Sequence, residues 1–505
     1  MVEGIKWHKD APLGKLDLVV NVNLRMDSSA NYSDIVLPTA HWYEKYDLTC
    51  SDLHSFFHPF TPAHDAPWEA KHDWEAFKEV AAKVSKLAEK HMPDEFEDMV
   101  MTPMITDCPD EMAQPMGEIQ DWYNGEVEAV SGKSFPKVKI VKRDYTKILE
   151  KYTTFGPNVC RPNGYGCKGI MGDLTEVCEN LKTSYLVGEK DGRPSLERAE
   201  QVCETILRIS PESDGELSHQ IFLDLEKRVG LPLADLVEGD REIHHHFPEL
   251  QSQPRRSLTS PHWSAIECPG RTYAPWSMNV ERLKPWHTLT GRQEIYFDHR
   301  GYRELGESMP TYKPPVDMVK IGDCSPSTAE ANSKVFRFLT PHGKWSIHSM
   351  FWDTWQMLNL FRGGQVVWIN DEDAAEIDVK DNDWVEVYNE NGICNVRAVL
   401  SGTIPRESVI MYHSSERHVG VPFSPLARKR GKSDLRGGNN NAPTRVMMNP
   451  SCMMGGYANW TYFLNYQGPS PSERDCAVLI RKMPLASGAK KVLYQDKDAH
   501  LVPNA

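Results

Sequence analysis

DNDWVEVYNENGICNVRAVL, Asp381 to Leu400, is the stretch that decides how the second half of the chain folds. WVEVY at Trp384 to Tyr388 and ICNVRAVL at Ile393 to Leu400 are rich in β-branched and aromatic residues, which suit a pleated surface better than a helix. Asn391-Gly392 between them is a strong hairpin signal, so the two runs are expected to pair as antiparallel strands. VVWI at Val366 to Ile369 and VIMYH at Val409 to His413 have the same character. Short strands at this spacing, beginning near Val335, predict a closed β-barrel.

Two polar stretches flank these strands. FLTPHGKWSIHSMFWDTW, Phe338 to Trp355, carries Thr340, His342, Lys344, Ser346, His348 and Ser349 at alternating or near-alternating positions. If extended, it would point most of them to one side, with Trp345 and Ile347 on the other. Hydroxyls, imidazoles and an ammonium in a row suit a multiply charged ligand rich in acceptors; a polar strand edge facing water would look the same. RGGNNNAPTRVMMNPSCMMGGYANWTYFLNYQG, Arg436 to Gly468, adds the glycine pairs Gly437-Gly438 and Gly455-Gly456 among many asparagines. Such residues build backbone N–H nests for anions, or simply a loop.

Upstream the pattern is α/β. The apolar run from Lys15 to Val22 predicts a short, fully buried strand of a parallel sheet, and SDIVLPT supplies a second strand ending at Pro38. Residues just past such strand ends line clefts in open α/β sheets, which makes Ser33, Asp34, Thr39, Trp42 and Glu44 candidates for holding a nucleotide; helix capping would use the same residues. From Asp73 to Lys90, Trp74, Phe77, Val80, Ala81, Val84 and Leu87 recur at helical spacing, with Asp73 placed to cap and the apolar face expected to pack. A second amphipathic helix is expected from Leu217 to Val229, stopped by Gly230. Between them, residues 94–190 read as a long irregular excursion with candidate helices only at Glu111 to Asn124 and Leu174 to Leu181.

The bulk properties bound the rest. With 505 residues, 40% hydrophobic and 25% charged, the chain can bury more than one core and does not read as disordered. A formal charge of −14 argues against nucleic acid as a ligand. No run approaches the roughly 18 apolar residues of a membrane span. Eleven cysteines without a C-x-x-C pair read as reduced, mostly buried thiols, with Cys160, Cys167 and Cys178 the nearest to a cluster. The run His244, His245, His246 and the basic run Ala427 to Lys432 read as surface loops, and no metal ligand is assigned.

Several longer strings resemble one family. LTPHGKWSIHS, RGGQVVWIND at Arg362 to Asp371, DNDWVEVYNENG and MMGGYANWTYFLNYQG at Met453 to Gly468 are similar to the C-terminal domain of the respiratory nitrate reductase and nitrite oxidoreductase alpha subunits, molybdopterin oxidoreductases of the dimethyl sulfoxide reductase family. Leu16 to Leu48, His58 to Lys86 and Lys284 to Asp317 resemble the same proteins in the same order.

The resemblance implies an α/β region followed by a β-barrel, a partial molybdopterin-oxidoreductase architecture. Residues 1–57 would be the end of a nucleotide-binding-like α/β domain, 58–330 a mixed α+β domain with a long irregular insertion, 331–484 the cofactor-binding β-barrel and 485–505 a tail. It implies a molybdenum bis(molybdopterin guanine dinucleotide) cofactor and oxygen-atom transfer between nitrate and nitrite. Thr340, His342, Lys344, Trp345, Ser346, His348 and Ser349 would contact the pterin or its phosphates, with Gly455, Gly456, Tyr457, Asn465 and Tyr466 closing from the far side and Asn441, Thr444 and Arg445 nearby. No catalytic residue is assigned. The family's [4Fe–4S] segment and its molybdenum-ligating Asp have no counterpart in the sequence, so the expected match is to the C-terminal portion of the subunit, completed by an N-terminal alpha segment. An iron–sulfur beta subunit and a membrane haem subunit would be partners, attaching the chain to a membrane, by family default at its cytoplasmic face, with the periplasmic side open. Two alternatives stand beside this: a cofactor-binding or assembly module without turnover, and a related molybdenum enzyme acting on chlorate, perchlorate or selenate.

Overall fold

In the computed structural model the described residues are 18–27, 29–30, 33–51, 54–101, 138–155, 159–162, 165–167, 170–258, 332–344, 346–351, 354–360, 365–389, 391–414, 439–444 and 476–483, with scattered positions between 279 and 309. The chain divides into two units, one of residues 1–26, 32–309 and 451–467, the other of 27–31, 310–450 and 468–505.

The first unit opens with β1 (Val20–Asn23) and β2 (Ile35–Pro38), paired in parallel from Val20↔Ile35 to Asn23↔Pro38. The parallel pairing agrees with the sequence, but full burial does not: the strand starts at Val20, which is 45% exposed. Among the described residues this sheet has two strands, and both are only partly buried. β3 (Asp47–Ser51) and β4 (His54–Phe60) follow as an antiparallel hairpin.

Helix α1 (Asp73–His91) forms where its periodicity predicts, with two corrections. His72, not Asp73, caps it: His72 Nδ1 accepts from Trp74 N at 2.9 Å. Asp73 instead receives Lys45 Nζ at 2.7 Å and the Thr39 hydroxyl at 2.9 Å. Second, Ala81, Ser85 and Ala88 are the buried residues, while Phe77, Val80, Val84 and Leu87 are 37% to 49% exposed. Small side chains let α2 (Ile148–Thr153) approach closely, with Leu149 N donating to Ser85 Oγ at 2.9 Å and Trp74 stacked on Tyr152 at 4.4 Å. That short helix covers one side of the predicted apolar face and leaves the other.

The excursion is also more regular than expected. It contains an antiparallel hairpin of β5 (Phe96–Met101) and β6 (Val138–Arg143), α2, a second hairpin of β7 (Tyr165–Cys167) and β8 (Ile170–Gly172), and α3 (Thr175–Thr183) at the expected second helix. The candidate helix at 111–124 lies outside the described residues. Cys160 and Cys178 form a disulfide, which corrects the reading of all cysteines as reduced; Cys50, Cys203, Cys394 and Cys476 are thiols.

The remainder of the unit comprises the short pair β9 (Glu189–Lys190) and β10 (Arg193–Pro194), helices α4 (Ala199–Ile209), α5 (Gly215–Val229) and α6 (Phe247–Ser252), and β11 (Arg255–Arg256), which pairs with β4. Asp214 caps α5, and Gly230 ends it at φ 70°, a left-handed position that costs glycine little. The three histidines are not a surface loop. His244 Nδ1 meets Asp214 Oδ2 at 2.8 Å, buried His245 meets the Arg256 carbonyl through Nε2 at 2.7 Å, and His246 Nδ1 meets Glu204 Oε1 at 2.6 Å. Asp214 and Glu204 are buried carboxylates that require partners, and the run supplies them.

The second unit is the expected closed barrel. It is built from β12 (Ser333–Leu339), β13 (Val366–Ile369), β14 (Trp384–Tyr388), β15 (Ile393–Leu400), β16 (Ser408–Met411) and β17 (Ala477–Lys482), joined in the order β12-β16-β13-β15-β14-β17. β12 runs parallel to β16 and β13 to β15; the other pairs are antiparallel. Phe336, Phe338, Val367, Ile369, Val385, Val387, Val396, Val409, Val478 and Ile480 fill the interior. Helix α7 (Trp355–Leu360) lies between β12 and β13, and α8 (Asp371–Glu376) follows β13. Fully buried Asp373 on α8 accepts from Lys334 Nζ at 2.7 Å, Arg406 Nε at 3.0 Å and Glu407 N at 2.6 Å.

The β14–β15 hairpin turns over residues 389–392, where Asn389 N donates to the Gly392 carbonyl at 3.0 Å. Gly392 serves a close approach rather than a positive φ. A Cβ built on it would lie 2.2 Å from the carbonyl oxygen of Ala442.

Candidate functional site

The candidate ligand-binding residues of the second unit gather where β12 and β16 end. Because these strands run parallel, their C-terminal ends emerge side by side, and the chain leaving β12 meets the chain leaving β16: His413 N donates to the Pro341 carbonyl at 3.1 Å. The 340–349 segment is not an extended strand, which corrects the alternation argument. β12 stops at Leu339, Ile347 bridges Met350, and His348 turns the chain at φ 50°. Ile347, expected on an apolar wall, is 58% exposed.

The fold groups the imidazoles by tertiary contact instead. His342 and His413 approach with ring centroids 4.3 Å apart, His348 and His413 at 5.2 Å, and His342 and His348 at 5.7 Å, all edge-to-face. His342, His348 and Lys344 are exposed, while Thr340, Ser346 and Ser349 are half-buried around them. Gly343 packs close to Ser346 in this turn: an added Cβ would lie 2.5 Å from Ser346 Oγ, which would have to rotate away.

The second polar stretch reaches the same place. Buried Asn440 accepts from Ser414 N through Oδ1 at 2.9 Å, and His413 hydrogen-bonds Ser414 Oγ. Asn440 Nδ2 donates to Asn441 Oδ1 at 3.1 Å, Asn441 N donates to Asn439 Oδ1 at 3.1 Å, and the Thr444 hydroxyl donates to the Asn441 carbonyl at 3.0 Å. The β14–β15 turn braces this loop, with Asn389 Nδ2 donating to the Pro443 carbonyl at 2.7 Å and Asn391 Nδ2 at 3.2 Å. Thr340, His342, Lys344, Ser346, His348 and Ser349 thus share one end of the barrel with Asn441 and Thr444. His413, which the sequence places inside a strand, joins them.

Trp345, Arg445, Gly455, Gly456, Tyr457, Asn465 and Tyr466 lie outside the described residues, as does the basic run 427–432. Asp34 and Glu44 belong to the first unit, and each has local work. Asp34 Oδ2 accepts from Val19 N at 2.8 Å, and Glu44 Oε2 accepts from His41 N at 2.8 Å in a capping box.

The donor set suits a large anionic ligand rich in ring heteroatoms. Three imidazoles offer directional N–H or lone pairs, Lys344 a mobile positive charge, and the serines and Thr340 hydroxyls that donate or accept. Among the described residues no group of His, Cys, Asp and Glu is arranged to hold a metal ion. These side chains can bind and orient such a ligand.

Comparison with known proteins adds three family models. "Molydopterin dinucleotide binding domain" matches residues 336–460, which include the histidine cluster. "Nitrate reductase alpha chain, domain V" matches 163–281, and "Molybdopterin oxidoreductase" matches 5–83. The nitrate reductase alpha chain of Bacillus subtilis (strain 168) is 44% identical over 488 residues, covering 95% of this chain and 39% of that protein. The nitrate reductase alpha subunit of Mycobacterium tuberculosis (strain ATCC 25618 / H37Rv) is 42% identical over 485 residues, with 95% and 39% covered. The respiratory nitrate reductase 1 alpha chain of Escherichia coli (strain K12) is 39% identical over 485 residues, with 95% and 38% covered. The chain therefore spans about 39% of the length of the first of these relatives.

Proposed function

The chain belongs to the molybdopterin oxidoreductases, in their nitrate reductase alpha chain branch, and from that premise we propose that it is the C-terminal portion of a catalytic subunit that moves an oxygen atom between nitrate and nitrite. The observation that carries this reading is the cluster of His342, His348 and His413 beside Lys344 and the Asn439–Thr444 loop, inside the segment matched by the dinucleotide-binding model.

The cofactor in this reading is molybdenum bis(molybdopterin guanine dinucleotide). When bound, it supplies the two-electron oxygen-atom exchange. The chain's own part is to hold and orient it. His342, His348 and His413 would address ring heteroatoms, Lys344 the phosphates as a point charge, and Thr340, Ser346 and Ser349 the remaining acceptors. Asn441 and Thr444 would line the neighbouring edge. Trp345, Arg445, Gly455, Gly456, Tyr457, Asn465 and Tyr466 complete the proposed set, with Asp34 and Glu44 assigned to a nucleotide end. The division at 1–57, 58–330, 331–484 and 485–505 belongs to the same reading.

Turnover would require the family's N-terminal alpha segment, and electrons would pass through an iron–sulfur beta subunit and a membrane haem subunit. Attachment to the membrane would run through those partners; among the described residues no helix is long and apolar enough to cross one.

Metal and pterin analysis tests the proposal. The chain is purified alone and together with the complementary N-terminal alpha segment, and both are assayed for nitrate–nitrite interconversion. Retention of molybdenum and guanine-dinucleotide pterin by the pair, with turnover, is expected. Cofactor held by the chain alone with no turnover from the pair would instead make this a binding module.

A further inference from the structure

We propose that the cavity where α4 meets α6 is a binding site for an alkylguanidinium or alkylammonium group, carried either by a small free cation or by an arginine or lysine side chain of another polypeptide. The site stands apart from the cofactor reading, since it uses none of the residues assigned there.

The cavity has a volume of about 120 Å³. That is well below the roughly 300–1,000 Å³ of pockets for drug-sized ligands and suits a group the size of a side-chain tip. One wall is aromatic: Tyr46, just before β3, and Phe247, the first residue of α6, meet edge-to-face with ring centroids 6.1 Å apart. Leu186 extends the apolar surface, and Gln251 of α6 adds an amide. The other wall is acidic. Glu200 and Glu204 lie four residues apart on α4, so they project from one face of the helix.

Both walls are fixed by the fold. The Tyr46 carbonyl meets His72 Nε2 at 2.6 Å, and Phe247 is anchored in a core with Phe57, Cys203, Leu207 and Leu250. Glu204 is 2% exposed, and its two oxygens meet His246 Nδ1 at 2.6 Å and the Phe247 amide at 2.8 Å.

The protein's own groups answer only part of this negative charge. Like charges four residues apart on a helix repel. His246 faces Glu204, but among the described residues neither the Glu200 carboxylate nor the Tyr46 hydroxyl has a partner. Lys45, next to Tyr46, is engaged by Asp47 and Asp73 at 3.4 and 2.7 Å. The buried Cys203 thiol registers the field: burial pushes it up to about 12, and Asp47, Glu200 and Glu204 push in the same direction.

A cation on an apolar stem satisfies all of these groups. Its N–H donors would reach Glu200 and a remaining lone pair of Glu204, its charge would face the Tyr46 and Phe247 rings, and its stem would lie on Leu186. A guanidinium is favoured over an ammonium, because its planar, weakly hydrated face stacks on aromatic rings. An anion would be repelled, and a neutral group would leave Glu200 unpaired.

The test is a saturation-transfer NMR titration of the full chain with n-propylguanidinium at constant ionic strength. Saturable binding is expected, displaced by n-butylammonium and absent for the neutral isostere N-propylurea. E200Q should weaken binding at least about tenfold, the loss expected for one charge-assisted hydrogen bond. E200D keeps the charge and should restore most of it, while E69Q, the same charge change at an exposed position, should bind like wild type. No saturable binding, equal binding of the urea, or wild-type affinity in E200Q would overturn the assignment. The same titration on the complex purified from its native cells separates the two sources. Binding retained there identifies a free cation, and binding present in the isolated chain but lost in the complex identifies a partner's side chain. Molybdenum retention and nitrate turnover can fail with this site intact, so the two proposals fail separately.

Discussion

Gly392→Ala connects the barrel's stability to its candidate site. The new methyl would sit 2.2 Å from the Ala442 carbonyl oxygen and 2.8 Å from its carbonyl carbon, against an optimum of about 3.5–4.0 Å between carbon atoms. Both atoms are backbone, so no rotamer change relieves the clash. Either the hairpin strains, at the roughly 1–3 kcal/mol typical of overpacking, or the 439–444 loop retreats. Retreat breaks the bonds from Asn389 and Asn391 to the Pro443 carbonyl, each worth about 1 kcal/mol net. The two routes converge on about 2 kcal/mol, or a melting temperature lower by roughly 4–8 °C for a unit of this size. Thermal denaturation of the purified chain measures it, with Gly402→Ala as the control, because a Cβ there meets only Asp371 carboxylate oxygens at 3.7 and 3.9 Å. Retreat would also carry Asn440 away from Ser414, beside His413, so cofactor retention should fall with stability. Melting of G392A within about 2 °C of wild type would refute the steric reasoning.

Three other outcomes follow from the buried groups. Asp373→Ala removes a fully buried carboxylate from Lys334, Arg406 and Glu407 N and should cost about 3 kcal/mol in urea unfolding, a value near zero refuting the role of the network. Burial alone would raise the Asp373 pKa, but bonds from Lys334, the Glu407 amide and Arg406 outweigh it and hold it below the usual carboxylate range. Its stabilisation is therefore complete above the unfolded value near 4 and is lost as pH falls through the folded one, so the acid limb of the stability curve should flatten in D373A. Burial also pushes the Cys203 thiol up to about 12 and the Cys394 thiol higher still, so iodoacetamide in mildly alkaline buffer should modify exposed Cys50 and spare both; ready modification of Cys203 in the folded chain would contradict its burial. His245 is held below the usual histidine value by burial, outweighing the carbonyl of Arg256 that favours its charged form. Since the unfolded chain binds that proton first, stability should decline as pH drops below about 6.5, and H245Q should lose part of the decline; identical pH profiles for the two proteins would remove His245 as its source.

The barrel was legible because its strands announce themselves locally. WVEVY and ICNVRAVL need no distant information to be read as a pair, and their turn residues lie between them. Closure was legible only as a type. The strands that complete it, β12 and β17, pair across a long sequence separation, from Ser333↔Arg481 to Arg337↔Ala477, and the parallel register of β12 on β16 leaves no periodic trace. Of the donor row, six described members do lie at one barrel end, but strand alternation is not what gathers them. The same limit applies to the first unit. Periodicity in α1 marks an apolar face, yet only the tertiary approach of α2 decides that Ala81, Ser85 and Ala88 are covered while Phe77, Val80, Val84 and Leu87 stay exposed. His244 and His246 find carboxylates 30 and 42 residues away, so local ligand spacing could not reveal their partners.

The case of His413 shows what kind of signal was missing. As the end of VIMYH it reads as strand, and within a strand its side chain would simply face in or out. β16 stops at Met411, and parallel pairing with β12 sets the next residues against Pro341 and His342. A residue just beyond the C-terminal end of one strand becomes a neighbour of whatever follows the parallel strand beside it. The candidate site is thus a property of the β12–β16 register. A one-residue slip would bury Arg337 in place of Phe336 and Phe338, and the interior positions of those two phenylalanines are what hold the register, and with it the histidine cluster, in place.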